Sequence, residues 1–247
     1  MSFPRPESMP SNPSSGAGAG VEEILARHGP SDAKSILSEE GLRNLSFSGS
    51  TQVNAAVVVG DLRMSGLLLK EAVDPALYAR YIVGFTEAVR GLANSFGGWF
   101  DKFTGDGFIA FWIYDSENQV TDILPGFCQS ILPAAESLVA NLKRNSRNFP
   151  VGVGLSIGID SGSCMLVRVG DSLTLLGGPI VGATRMVSGA VAGQVLVNVG
   201  LGATLELQVN RLESSGAHLA KRVVPTKEYP QGQEAYELEF ARVSRRA

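Results

Sequence analysis

The sequence predicts an α+β fold, a mixed sheet with helices packed mainly on one side, and three observations carry that reading. Asn54-Ala-Ala-Val-Val-Val-Gly60 is a continuous apolar run bounded by glycine, the pattern of a strand covered on both faces. Trp99–Phe103 and Phe108–Tyr114 are aromatic-rich and flank Thr104-Gly105-Asp106-Gly107, a strong hairpin signal. Helical patterns interleave with further strands after them, without an internal repeat.

Taken in order, residues 1–20 are rich in Pro, Ser and Gly and bury too little apolar surface to order themselves, so a floppy tail is expected. Two short helical patterns follow in 21–49, Val21–Arg27 and Ala33–Leu45, the second with Ser31 or Asp32 as its cap; they suit a lid or a dimer-packing element. Residues 50–247 read as one domain. Asp74-Pro75 caps and opens a helix whose apolar positions Tyr78, Tyr81, Ile82, Phe85, Val89 and Leu92 keep helical spacing until Gly97-Gly98 ends it. A second helix is expected over Thr121–Lys143 and a strand over Val151–Ile159. Leu166–Val169 should pair with Leu173–Leu176 as another hairpin. Val181–Gly189 reads as helix, and Val195–Asn198 and Glu234–Phe240 as the last strands.

Bulk properties narrow the function. Hydrophobic residues make up 44% of the 247, enough for a sizeable core. A net charge of -3 argues against a protein that coats nucleic acid or an anionic membrane, though a basic pocket for a small anion remains compatible with it. Cys128 and Cys164 sit in apolar surroundings and read as buried free thiols, while His28 and His218 have no ligand spacing, so no zinc site is expected. No long unbroken apolar window and no secretory signal is found, which makes a cytoplasmic location the expectation.

The chemistry rests on two aspartates. Asp61 ends the buried strand and leads into a turn with Ser65 and Gly66, where following amides could meet phosphate oxygens. Alone, it is as readily a capping or turn aspartate. Asp106 lies at the hairpin tip, where Asp-Gly suits a tight turn anyway. If the hairpin pairs beside the Asp61 strand, the carboxylates converge; at about 4 Å they would repel by about 4 kcal/mol at an effective dielectric near 20. Divalent cations bridging to phosphates would compensate that charge.

Val57-Val-Val-Gly-Asp61 with its short Ser/Gly turn, and Lys102-Phe-Thr-Gly-Asp106-Gly-Phe-Ile-Ala-Phe111, resemble the two metal-binding signatures of class III adenylyl and guanylyl cyclase catalytic domains. Val153–Gly162, Thr174-Leu-Leu-Gly177 through Ala183-Thr-Arg185-Met186, and Gly193–Asn198 continue in that family's order, over roughly residues 50–240. The resemblance implies the family's ferredoxin-like palm. It also implies two divalent cations, Mg²⁺ or Mn²⁺, on Asp61 and Asp106 with help from the Leu62 carbonyl. Amides of Arg63, Met64, Ser65 and Gly66 would cradle the β- and γ-phosphates. Lys102 and Thr174 fall at the base-reading positions, Arg185 where an arginine stabilises charge at the α-phosphoryl group, and Lys227, more loosely, at a triphosphate-binding lysine. Standing alone, Lys102 reads as a cross-strand surface residue and Arg185 as a solvated helix arginine.

The chain departs from the family at Val181, where members usually carry a ribose-orienting asparagine, and at Met64-Ser-Gly66, where they carry Gly-Phe-Thr. Trp99–Phe108 and Ile180–Met186 look closer to the stand-alone pyrimidine cyclases of bacterial antiphage (Pycsar) defence, which implies cyclic UMP or cyclic CMP as product, with UTP favoured over CTP, and a separate cyclic-nucleotide effector protein. Because the family shares its site between protomers, a C2 homodimer with composite sites is implied, with a nucleoside triphosphate as substrate and neither nucleic acid nor membrane insertion expected. The competing readings are an adenylyl cyclase, which Lys102 and Thr174 would suit, a catalytically dead nucleotide-binding module, which Val181 would suit, and a purely structural dimerisation domain. The related diguanylate cyclases are set aside because their Gly-Gly-Asp/Glu-Glu-Phe loop is absent.

Overall fold

A computed structural model describes residues 20–30 and 36–241. The sheet is organised around β1 (Ser50–Arg63), the apolar run of the sequence extended at both ends. Its inner residues Ala55 to Val58 are fully buried, because they alternate between two apolar layers. On one side β1 pairs antiparallel with β3 (Gly107–Ile113), which forms the expected hairpin with β2 (Trp99–Phe103). On the other it pairs antiparallel with β4 (Gly154–Val169) along its whole length.

The remaining strands are β5 (Ser172–Leu176), β6 (Val195–Asn198), β7 (Ala217–Val224) and β8 (Gln233–Phe240). The order is β2-β3-β1-β4-β6-β8-β7, with β5 pairing β4 off that path. The β4–β6 pairing is parallel and the others antiparallel, so the mixed sheet is as expected.

The helices amend the expectation of one covered side. α1 (Val21–His28) and α2 (Glu39–Ser48) precede β1, and α3 (Ser65–Glu71) and α4 (Pro75–Ser95) follow it. α5 (Glu117–Arg144), α6 (Gly178–Gly189), α7 (Val199–Glu206) and α8 (Val209–Ser214) complete the set. Ala56 and Val58 face a large core shared with α4, α5 and α7. Ala55, Val57 and Val59 face a second cluster with Ala183 and Val187 of α6 and Ile24, Leu25 and Leu45 of the N-terminal helices. Helices therefore cover both faces, as the two-sided burial of Ala55–Val59 requires. Val21, Ile24 and Leu25 of α1 and Leu45 of α2 pack into the chain's own core, while Phe47 of α2 is exposed.

Several boundaries also shift. The helix expected from Ala33 is seen as α2, capped by Ser38, whose side chain accepts from the Gly41 amide. The suggested caps Ser31 and Asp32, and residues 1–19 of the expected tail, lie outside the described residues. The separate strands expected over Val151–Ile159 and Leu166–Val169 are one strand, since the length of β1 offers partners from Arg63↔Gly154 to Ser50↔Val167. The Ser/Gly turn after Asp61 is a short helix, α3, entered through Met64 in the left-handed region at φ 65. β7, α7 and α8 were not foreseen; β7 carries Lys221 and Arg222 on exposed positions, the charged character of an edge strand, and has no apolar alternation to read.

Other expectations hold in detail. Asp74 caps α4 by accepting from the amides of Ala76 and Leu77, and Gly97 turns the chain at its end with φ 75. Cys128 and Cys164 are buried and free. α5 is long and apolar enough to cross a membrane by length and composition, yet Leu124, Phe127, Ile131, Leu138 and Leu142 lie in the main core.

Candidate active site

Two glycines let the aspartates meet. A side chain on Gly60 would strike the Phe108 ring, its Cβ 2.1 Å from Cε1, and one on Gly107 would lie 2.2 Å from the Gly60 carbonyl oxygen. Their absence allows β1 and β3 to close with Asp61 opposite Gly107, and the Leu62 amide donates to the Asp106 carbonyl at 3.2 Å. Asp61 and Asp106 are thereby fixed on neighbouring backbones at one end of the sheet.

Their charges are only partly compensated within the chain. Burial and then the Asp106 charge raise the Asp61 carboxyl above its ordinary 3.8, outweighing the opposing effect of Arg63, whose Nη1 lies 3.2 Å from Asp61 Oδ2. The Ser65 hydroxyl donates to Asp106 Oδ2. Tyr78 of α4, which is buried, has its phenol pushed up by burial and by the same Asp106 charge, a neighbour the sequence did not reveal. Among the described residues no group of three or more His, Cys, Asp or Glu side chains forms. Two carboxylates with further oxygens drawn from water or phosphate suit Mg²⁺ or Mn²⁺, so the residues present fit such a cation.

Arg63 has a role that sequence reasoning missed. Its guanidinium donates to the carbonyls of Val187 at 3.1 Å, Ser188 at 2.8 Å and Ala190 at 3.0 Å, closing the C-terminal end of α6 while reaching Asp61. It ties the first aspartate to the helix that carries Arg185.

The expected base-reading pair also comes together. Lys102 in β2 and Thr174 in β5 are distant in sequence, yet Lys102 Nζ donates to Thr174 Oγ1 at 3.2 Å. Asp101, not singled out by sequence, stands with them: its Oδ2 lies 3.2 Å from Lys102 Nζ and its side chain is 3% exposed. Burial raises its carboxyl, the nearby Thr174 hydroxyl and the Lys102 charge oppose that shift, and its buried Oδ2 has no hydrogen-bond partner.

Arg185 and Lys227 line one pocket of about 350 Å³, with Val181, Thr184 and Glu228 among its walls. Arg185 Nη2 pairs with Glu228 Oε2 at 2.5 Å. Gly182, Ala183, Met186 and Val187 turn to the interior, while Arg185 is half-buried, its Nε buried without a hydrogen-bond partner. Beneath that helix Asp160 is buried against Gly182; burial raises its carboxyl, while Asn198, the Ser161 amide at 2.8 Å and the Arg185 charge oppose the shift. The chain thus brings Asp61 to Asp106 and Lys102 to Thr174, and lines one pocket with Arg185 and Lys227.

No protein-family model matches the sequence, and no curated protein does. Solved structures do. The adenylyl cyclase CyaB from P. aeruginosa superposes with a TM-score of 0.64 at 17% identity, covering 78% of this chain and 97% of that one. The guanylate cyclase domain of RhGC from Catenaria anguillulae, solved in complex with GTP, gives 0.58 at 13% identity, covering 77% and 98%. An adenylate cyclase from Trypanosoma brucei in its monomeric state gives 0.56 at 16%, covering 78% and 91%. The chain has the fold of class III nucleotidyl cyclase catalytic domains.

Proposed function

We propose that residues 50–247 form a metal-dependent nucleotidyl cyclase acting as a homodimer, with α1 and α2 as part of its packing. The observation that carries this is the register of β1 and β3, which sets Asp61 beside Asp106 with their repulsion incompletely relieved. Divalent cations on these carboxylates and the Leu62 carbonyl would supply Lewis acidity, lowering the pKa of the ribose 3′-hydroxyl and offsetting charge on the triphosphate. The amides of Arg63 to Gly66, which lead from Asp61 into α3, would meet phosphate oxygens. Lys102 and Thr174 would read the base. Arg185 would stabilise charge at the α-phosphorus as the 3′-oxygen attacks and pyrophosphate leaves, with Lys227 on the same triphosphate.

The resemblance supports composite sites shared between two copies, in which Arg185, lining a pocket with Lys227 and Glu228, would act on the triphosphate held by the partner.

For the substrate we favour a pyrimidine triphosphate, UTP ahead of CTP, with the cyclic product acting in the cytoplasm on a separate effector in antiphage defence. The motif resemblance of Trp99–Phe108 and Ile180–Met186, and the apolar Val181 beside Arg185, support that choice. An adenylyl cyclase is the second reading, favoured by the contact between Lys102 and Thr174. Purified chain given each of the four ribonucleoside triphosphates with Mn²⁺, and read by mass spectrometry, separates them. A cyclic pyrimidine nucleotide is expected; cyclic AMP alone would overturn the pyrimidine choice, and no cyclic product from any substrate would overturn the enzyme.

A further inference from the structure

The Ser65 hydroxyl donates to Asp106 Oδ2, and among the described residues it is the one hydrogen-bond donor to that carboxylate. An ionised carboxylate only accepts, so the proton comes from the serine. The two residues are 41 apart in sequence, and the turn that brings them together is strained. Met64, directly before Ser65, sits in the left-handed region at φ 65 and ψ 18. Among the described residues it is the one residue other than glycine with a positive φ. Such a backbone is unfavourable for a residue with a Cβ and persists where its surroundings demand it.

Asp106 is thus held twice from the end of β1. The Leu62 amide donates to its carbonyl at 3.2 Å, and the Ser65 hydroxyl donates to its carboxylate. The first contact fixes where the residue stands. The second fixes the rotation of the carboxylate, whose terminal torsion is otherwise broad. The two aspartates are also held by donors of different charge. Asp61 meets the Arg63 guanidinium, whose Nη1 lies 3.2 Å from its Oδ2. Ser65 is neutral, so it orients Asp106 without competing with a cation for its charge.

We infer that Ser65 is a positioning residue of the cation site, its hydroxyl holding the Asp106 carboxylate in the orientation that meets a divalent cation shared with Asp61. This rests on the cyclase reading proposed above, which uses the Ser65 amide for phosphate and leaves its hydroxyl unassigned. A partner that orients a ligating carboxylate acts through it, and its loss weakens metal binding in a chain that still folds. Without Ser65 the Asp106 side chain would lose rotational freedom only when the cation arrives, and that loss would oppose binding.

The test titrates the full-length chain with Mn²⁺, alone and with a non-cyclisable UTP analogue, and reads bound metal by electron paramagnetic resonance. Wild type, Ser65→Ala and Ser65→Thr are compared, and thermal unfolding shows that each is folded. Ser65→Ala is expected to weaken the Mn²⁺ Kd by about tenfold or more, the effect of removing a ligand's orienting partner. Ser65→Thr keeps the hydroxyl and should recover most of that affinity. Equal Kd values in wild type and Ser65→Ala would overturn the inference while the cation reading survived. Equal losses in Ser65→Ala and Ser65→Thr would overturn it too, because the hydroxyl would not be the group that matters. Wild-type chain that binds no Mn²⁺ under either condition would remove the cation reading itself, and the inference with it.

Discussion

The Leu62 amide donates to the carbonyl of Asp106 at 3.2 Å, which locks the backbone after one candidate metal aspartate to the backbone of the other. That link depends on strand closure, and closure depends on the absence of a side chain at Gly107. Gly107→Ala would place a methyl 2.2 Å from the Gly60 carbonyl oxygen and push the hairpin tip off β1. We expect cyclase activity to fall at least about a hundredfold, since misplacement near 1 Å carries such a cost. Thermal unfolding alongside the assay would distinguish a displaced tip from global loss of the fold.

Asp61 also makes a pH prediction. Its folded carboxyl is raised, chiefly by burial and then by Asp106, so just above 3.8 the folded chain holds more protons than the unfolded one. The contribution to stability is full below 3.8 and is lost as pH rises through the raised folded value. Asp61→Asn should therefore raise the Tm at pH 7 in EDTA, by about 2 °C, and flatten the pH dependence of the urea midpoint just above the ordinary carboxylate range. The same variant should lose cyclisation. A lower Tm would mean that the Arg63 contact outweighs the burial and repulsion.

Arg63 should matter to stability more than a surface arginine does. Arg63→Ala leaves the carbonyls of Val187, Ser188 and Ala190 without this donor and Asp61 without its cation. A loss of about 2 kcal/mol is expected, or about 4–8 °C in Tm. Arg63→Lys should recover little of it, because one ammonium cannot span the same fork of acceptors. Chemical denaturation of the three chains measures this.

The arrangement of Arg185 predicts complementation. Asp61→Ala and Arg185→Ala chains should each be inactive, and an equal mixture should regain about a quarter of wild-type activity, from the half of dimers that carry one intact composite site. No recovery, with exchange of protomers shown by tagged chains, would place each site within a single chain.

Much of this was legible in the residues. The apolar run before Asp61 and the aromatic strands around Asp106 announced β1 and the β2–β3 hairpin, because buried strands and tight turns leave strong local patterns. Asp74 and Pro75 announced α4 for the same reason. The edge strand β7, without apolar alternation, leaves none, and the second helical layer depends on the packing of Val57 and Val59 against Ala183 and Val187. Within the site, Lys102 and Thr174 follow from the resemblance, and they come into contact although β2 and β5 share no ladder. Asp101 went unnoticed because an aspartate on a short strand reads as solvated, and only the irregular register turns it inward. Local sequence shows Arg63 only as one amide of a turn; that its side chain spans from Asp61 to the end of α6 follows from long-range packing.

The proposed cyclase reaction requires Asp61 and Asp106 to share a divalent cation. Binding of Mn²⁺ by electron paramagnetic resonance, in the presence of a non-cyclisable UTP analogue, measures this for the wild-type chain, Asp61→Asn and Asp106→Asn. We expect bound Mn²⁺ in the wild-type complex and its loss in either variant at the same free concentration. Equal Mn²⁺ binding by all three folded chains would contradict it.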